Sequence, residues 1–125
     1  MAEIGVDILK AADLLKMGEL VGIPTETVYG LAADALNPDA VLNVFKTKGR
    51  PSFDPLICHF SSFVKAQSYI QHIPEEVYAL VDAFMPGPLT LILPKKNISD
   101  IVTSGHSTVA IRVPAHPITL SLIHI

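Results

Sequence analysis

The sequence predicts an α/β fold, a twisted and mixed β-sheet with flanking helices. Segments whose apolar residues recur at helical spacing alternate with short apolar runs that end at Pro or Gly. No internal repeat or low-complexity linker interrupts that alternation, as an α/β layer fold requires. The chain has 125 residues, half of them hydrophobic, which is enough for one domain with its own core and too little for two.

Taken in order, Ile8, Leu9, Ala11, Ala12, Leu14 and Leu15 form an apolar stripe over Asp7 to Met17, and Gly18 stands where a helix-ending glycine belongs. "LVGIP" reads as a short buried strand closed by Pro24, followed by a loop, "TETVYGLAADA", rich in hydroxyls and carrying a carboxylate. Asn37 before Pro38 is an N-cap followed by the residue best tolerated at the first helical position, and "DAVLNVFKTK" carries that helix to Gly49. "PLICHF" is a continuous apolar run of the kind found in strands buried on both faces. Ser61 or Ser62 caps a helix through Ile70, and "PEEVYALVDAFM" starts another with Pro74 at its head. "LTLILP" and "TVAIRVP" are two further strands, with a helical turn at "ISDIV" between them. "AHPITLSLIHI" opens a last helix that no Gly, Lys or Arg closes, so the expectation is a fragment of a longer chain.

Nine Lys and Arg stand against twelve Asp and Glu, a formal net charge of −3, so bulk charge does not mark a nucleic-acid binder. The single cysteine, Cys58, allows no internal disulfide and reads as a small buried hydrophobe in a reducing compartment. "MAEIGVD" lacks a basic region leading into an apolar stretch, and no apolar run approaches the roughly 18 residues of a membrane span. The expectation is a soluble cytoplasmic protein with no membrane partner.

Several site types find no support. GxxxxGK[ST] and GxGxxG are absent, which removes a Walker-type or Rossmann nucleotide site. The five histidines show no HxH, HExxH or CxxC-like spacing for zinc, and no GxSxG elbow presents a serine nucleophile. What stands out is cationic. "FKTKGRPSFDP" gathers Lys46, Lys48 and Arg50 at a helix exit, where they either complement the helix dipole or hold an anion. Arginine occurs only at Arg50 and Arg112, against seven lysines. Arg112 lies inside an apolar strand, where a guanidinium must pair with an acid of this chain or with an anionic ligand. His59, at a strand end, is open to a structural or a functional role.

Four stretches in this order, "PTETVYGL", "KGRPSFDPLICH", "MPGPLTLIL" and "TVAIRVPAHP", resemble the YrdC-like threonylcarbamoyl-AMP synthases over nearly the whole chain. The resemblance implies a single YrdC-like domain over residues 1–125, an open α/β sheet with a deep positively charged cavity. It implies a nucleotidyltransferase, L-threonylcarbamoyladenylate synthase, which makes threonylcarbamoyl-AMP and pyrophosphate from L-threonine, bicarbonate and ATP for t6A modification of tRNA. A separate threonylcarbamoyl transferase complex then uses the adenylate. ATP is a substrate here, and Mg²⁺ is expected to assist.

By the same resemblance Lys48 and Arg50 hold the triphosphate and the pyrophosphate charge that develops, and are the catalytic pair. Asp54 and Thr108 add contacts to ATP. Thr27 and His59 contact L-threonine, and Arg112 pairs with its carboxylate. Glu26 and Tyr29 line the pocket, Tyr29 being equally suited to packing. One family feature, an S-x-N stretch on a strand after the "HP" helix, is absent because the sequence ends at Ile125, so the domain is expected to be incomplete at its C-terminus and weak or inactive in adenylate synthesis by itself. The alternatives are a YrdC-like module that binds double-stranded RNA without synthase activity, or a carbamoyl-adenylate-handling domain of a maturation enzyme.

Overall fold

A computed structural model describes residues 7–24, 29–49 and 55–124, without the side chains of Tyr29 and His124. Helix α1 spans Ile8–Lys16, with Asp7 as N-cap accepting from the Lys10 amide at 3.1 Å. It ends where Gly18 takes φ +86°, a left-handed turn open to glycine at no steric cost. A Cβ on Gly18 would lie 2.9 Å from Asn37 Nδ2, so this turn also brings the end of α1 against the cap of the next helix.

Strands β1 (Val21–Pro24) and β2 (Tyr29–Ala32) pair antiparallel, with Pro24 opposite Tyr29. The second strand is a correction, because the stretch after Pro24 reads as loop throughout. Gly30 and Ala32 are poor strand formers, and only pairing with β1 recruits them.

Helix α2 (Pro38–Lys48) follows, with Asn37 Oδ1 accepting from the amides of Asp39 and Ala40 and with Gly49 closing it at φ 64°. Strand β3 (Ile57–His59) leads to α3 (Phe63–Ala66), capped by Ser62 and tightening into a 3₁₀ turn over Gln67–Tyr69. The helix expected through Ile70 is therefore shorter and mixed in type. Helix α4 (Glu75–Phe84) has Pro74 at its N-cap, one place ahead of the first helical position. Strand β4 (Leu91–Pro94), helix α5 (Asp100–Thr103), strand β5 (Thr108–Arg112) and helix α6 (Pro117–His124) complete the order.

The described strands form two sheets. One is the β1–β2 hairpin. The other is mixed, in the order β3-β5-β4, with β3 parallel and β4 antiparallel to the central β5. Being central, β5 has neighbours on both sides, while β3 is an edge. Ile57 lies, like Ile92, on the sheet face away from the core and is 46% exposed, which corrects the expectation that "PLICHF" is buried on both faces.

The larger core packs Val41 and Phe45 of α2 against Cys58, Leu91, Leu93, Val109 and Ile111 of the mixed sheet, with Phe63, Ala66 and Val77 of α3 and α4. A smaller cluster joins Ala12 of α1, Ile23 of β1 and Leu122 of α6. There the hydroxyl of Thr119, fully buried, donates to the carbonyl oxygen of Pro24, fastening α6 to the end of β1. No described helix is long and apolar enough to cross a membrane.

The "MPGP" stretch between α4 and β4 has a packing reason for its glycine. The Gly87 amide donates to Val113 O at 2.8 Å, and a Cβ at this position would sit 2.6 Å from the Phe84 carbonyl oxygen. Gly87→Ala is expected to destabilise the protein by about 1–3 kcal/mol, the usual cost of forcing atoms into a packed site. Urea unfolding reads it, and an unchanged midpoint would show that the turn can shift freely.

Candidate functional site

Side chains alternate along a strand, so β5 sends Val109 and Ile111 to the core and Thr108, Ala110 and Arg112 to the opposite face. The register carries that division across the sheet. His59 of β3 lies opposite Arg112, Ile57 opposite Ala110, and on the other side Ile92 opposite Ala110 and Pro94 opposite Thr108. One face of the sheet therefore presents His59, Arg112 and Thr108 together. Their order follows from strand rise: Thr108 is four residues before Arg112, about 13 Å along the face.

Arg112 is only 8% exposed, whereas His59 is half-buried. The ladder between their strands continues past β3, since the Phe60 amide donates to Arg112 O at 3.0 Å. The guanidinium is thus held on a strand hydrogen-bonded along both edges, a rigid mount for a group that suits bidentate recognition of carboxylate or phosphate.

A cavity of about 860 Å³ opens beside this face, between the hairpin, α1, α2 and the β3 edge. That volume is in the range of small-molecule sites. Lys48, the last residue of α2, and His59 both border it, with Gly30 and Leu31 of β2 on another side. Its described titratable lining holds three lysines, Lys16, Lys48 and Lys65, against one carboxylate, Asp34. Lys48 is exposed and free to swing, unlike Arg112. Neither Thr108 nor Arg112 borders the cavity itself.

Of the residues singled out in the sequence, the structure thus brings Lys48 and His59 to one cavity and His59, Arg112 and Thr108 to one sheet face. Thr27, Glu26, Arg50 and Asp54 lie outside the described residues, as does the side chain of Tyr29. Thr27 belongs to the four residues that connect Pro24 to Tyr29, and Arg50 and Asp54 to the stretch between α2 and β3. Ser61 is a cavity residue that sequence patterning missed. It enters the sequence only as a rival to Ser62 for a helix cap, and no local pattern reveals that it lines a cavity.

Among the described residues no group of three or more His, Cys, Asp or Glu side chains is placed to hold a metal ion. Cys58 also borders the cavity, but burial pushes its thiol up from 9.0 to about 11. The thiolate is the reactive form, so this cysteine is suited to packing and not to nucleophilic chemistry. Because the folded state keeps a proton that the unfolded chain releases above pH 9, stability is intact below that pH and falls as pH rises towards 11. At pH 8 a disulfide reagent is expected to label native Cys58 at least about 10-fold more slowly than the urea-unfolded chain. Equal rates would mean that the thiol is open and ionised.

A protein-family model for Sua5, YciO and YrdC, described as telomere recombination, matches residues 13–125. The threonylcarbamoyl-AMP synthase of Pyrococcus abyssi is 49% identical over 116 residues, covering 92% of this chain and 34% of that protein. The synthase of Bacillus subtilis is 49% identical over 118 residues, covering 93% of this chain and 34% of that one. The chain therefore spans about a third of the length of these curated relatives. The crystal structure of P. abyssi Sua5 complexed with L-threonine matches with a TM-score of 0.93 at 47% identity, over 98% of this chain and 37% of that chain.

Proposed function

The chain belongs to the Sua5/YciO/YrdC family, and from that premise we propose that it forms the substrate-binding part of an L-threonylcarbamoyladenylate synthase. The observation that carries this is the 47% identity, with a TM-score of 0.93, to a Sua5 solved with L-threonine. The arrangement of His59, Arg112, Thr108 and Lys48 supports it.

In this reaction the threonine amine adds to bicarbonate, losing water, and gives a carbamate. A carbamate oxygen then attacks the α-phosphorus of ATP, and the bond to the β-phosphate oxygen breaks to release pyrophosphate. No group of the protein becomes covalently attached. The chain's task is alignment and compensation of negative charge, the two effects that dominate phosphoryl-type transfers.

Arg112 takes the threonine carboxylate. Its burial suits a small, fixed anion, since a planar guanidinium on a rigid strand grips a carboxylate in one geometry. His59, register partner of Arg112, and Thr27 hold the rest of the amino acid. Thr108, about 13 Å along the same face, reaches the nucleotide phosphates. An elongated molecule with an amino acid at one end and a nucleotide at the other fits such a spacing. Lys48 and Arg50 hold the triphosphate and the leaving pyrophosphate, with Asp54 beside the nucleotide. The exposed, mobile ammonium of Lys48 suits phosphates that shift as the bond breaks.

Mg²⁺ would arrive on the triphosphate, because in nucleotide sites this ion keeps phosphate and water ligands and needs no protein-built cage. It would neutralise phosphate charge. The adenylate would pass to a threonylcarbamoyl transferase complex acting on tRNA, in the cytoplasm.

Titration calorimetry on this chain is expected to show L-threonine binding, and Arg112→Ala is expected to raise the Kd about 10- to 100-fold, as for loss of a charged hydrogen-bond pair. Affinity for a non-hydrolysable ATP analogue should change little. Unaltered threonine affinity in the variant would remove the carboxylate role of Arg112. No threonine binding by the unmodified chain would remove the proposed function for these residues.

A further inference from the structure

Ala110 stands at the centre of the sheet face that carries His59, Arg112 and Thr108, opposite Ile57 of β3 on one side and Ile92 of β4 on the other. The residue is partly open, whereas its chain neighbours Val109 and Ile111 are essentially fully buried on the other face. Ile92, 70% exposed, and Ile57 both stand clear of the core. Neighbouring strands lie about 4.8 Å apart, so the two isoleucines are roughly 10 Å apart with a single methyl between them. The face is thus hollowed along β5, a trough with isoleucine banks that runs from Thr108 to Arg112. Both residues that β3 gives to this face, Ile57 and His59, also border the 860 Å³ cavity, so trough and cavity share β3 as a common bank.

Folding alone does not call for alanine at this position. A central strand favours β-branched residues, and a valine or isoleucine here would gain a cross-strand contact with Ile57 and another with Ile92. Alanine gives up both contacts and leaves open space in their place.

We propose that Ala110 is a positioning residue, the floor over which the reacting carbamate lies, and that its small size lets amino acid and nucleotide meet on this face. This rests on the assignment of Arg112 to the threonine carboxylate and of Thr108 to the nucleotide phosphates. Ala110 is midway between them, about 6.6 Å from each along the strand. In threonylcarbamoyl-AMP the middle of the molecule is the join between carbamate and phosphate, the bond made when the carbamate oxygen attacks the α-phosphorus. A side chain that fills the trough lifts that join off the sheet and leaves the two ends untouched. It therefore penalises a ligand that spans both ends and spares one that occupies a single end.

Calorimetry with L-threonine alone and with a stable analogue of threonylcarbamoyl-AMP, an acyl sulfamate replacing the acyl phosphate, reads that difference. Ala110→Val and Ala110→Leu should both weaken the analogue, about 10-fold or more for leucine, and leave L-threonine within about 2-fold. Ala110→Gly, which keeps the space, should bind the analogue within about 2-fold of the unmodified chain. Thermal melting should show the valine variant no less stable than the unmodified chain, because the added carbons enter open space on a strand that suits them. A lowered melting temperature for Ala110→Val would overturn the proposal by showing the position already filled. Unchanged analogue affinity in Ala110→Leu would also overturn it, as would equal weakening of both ligands, which marks a general disturbance of the sheet. Binding of L-threonine but not of the analogue by the unmodified chain removes the role of Ala110 alone. If the unmodified chain binds neither ligand, the substrate assignment itself fails and the role of Ala110 falls with it.

Discussion

The alternation of side chains along β5 is the constraint on which the rest of the molecule depends. Val109 and Ile111, each essentially fully buried, knit the core, while Arg112 between Ile111 and Val113 projects from the other face. A slip of one residue in either ladder would exchange those faces. It would drive a guanidinium into an apolar core and put isoleucine in its place, at a cost well beyond any single contact. Pairing with β3 on one edge and β4 on the other blocks the slip twice over. The same register that buries the core therefore sets His59 beside Arg112.

A second set of contacts governs the opposite wall of the cavity. The hairpin β1–β2 has only four residues in each strand and forms a sheet separate from the mixed one. An isolated two-strand hairpin is marginal in water and needs a packed face. Here α1 and α6 supply it through Ala12, Ile23 and Leu122, and Thr119 satisfies the Pro24 carbonyl at the point where β1 ends. The end of β1 is thus anchored from behind by the last helix. Helix α6 and the end of β1, 95 residues apart in sequence between Thr119 and Pro24, are tied together by this bond.

The helical framework is legible in the sequence wherever its signals are local. Asn37-Pro38 and Gly49 mark both ends of α2 because capping depends only on side-chain chemistry and on tolerance of positive φ. Arg112 announces itself in the same way, as a charge in an apolar strand that demands an explanation. Strand β2 does not, since a Gly- and Ala-rich segment has no intrinsic strand preference and becomes a strand only through a partner. The edge position of β3 is likewise a property of sheet order. Nothing in "PLICHF" tells that Ile57 will face solvent. Ser61 is illegible for a related reason: no local pattern tells which of two adjacent serines caps α3 and which lines the cavity.

The two kinds of cation in the molecule follow the two kinds of anion proposed for it. A carboxylate on a small amino acid keeps its charge and position through the reaction. It can be met by a buried, preorganised group whose desolvation is compensated once, on folding and binding. A triphosphate redistributes charge as pyrophosphate departs and must then leave the site. A rigid buried arginine there would hold the product as tightly as the substrate. An exposed lysine at a helix end, with a flexible stem and water around its ammonium, can follow the moving charge and release it. On the roles proposed, buried Arg112 would meet the fixed carboxylate and Lys48, at the cavity edge, the shifting phosphate charge. Reversing the two would give a site that binds nucleotide tightly and turns over slowly.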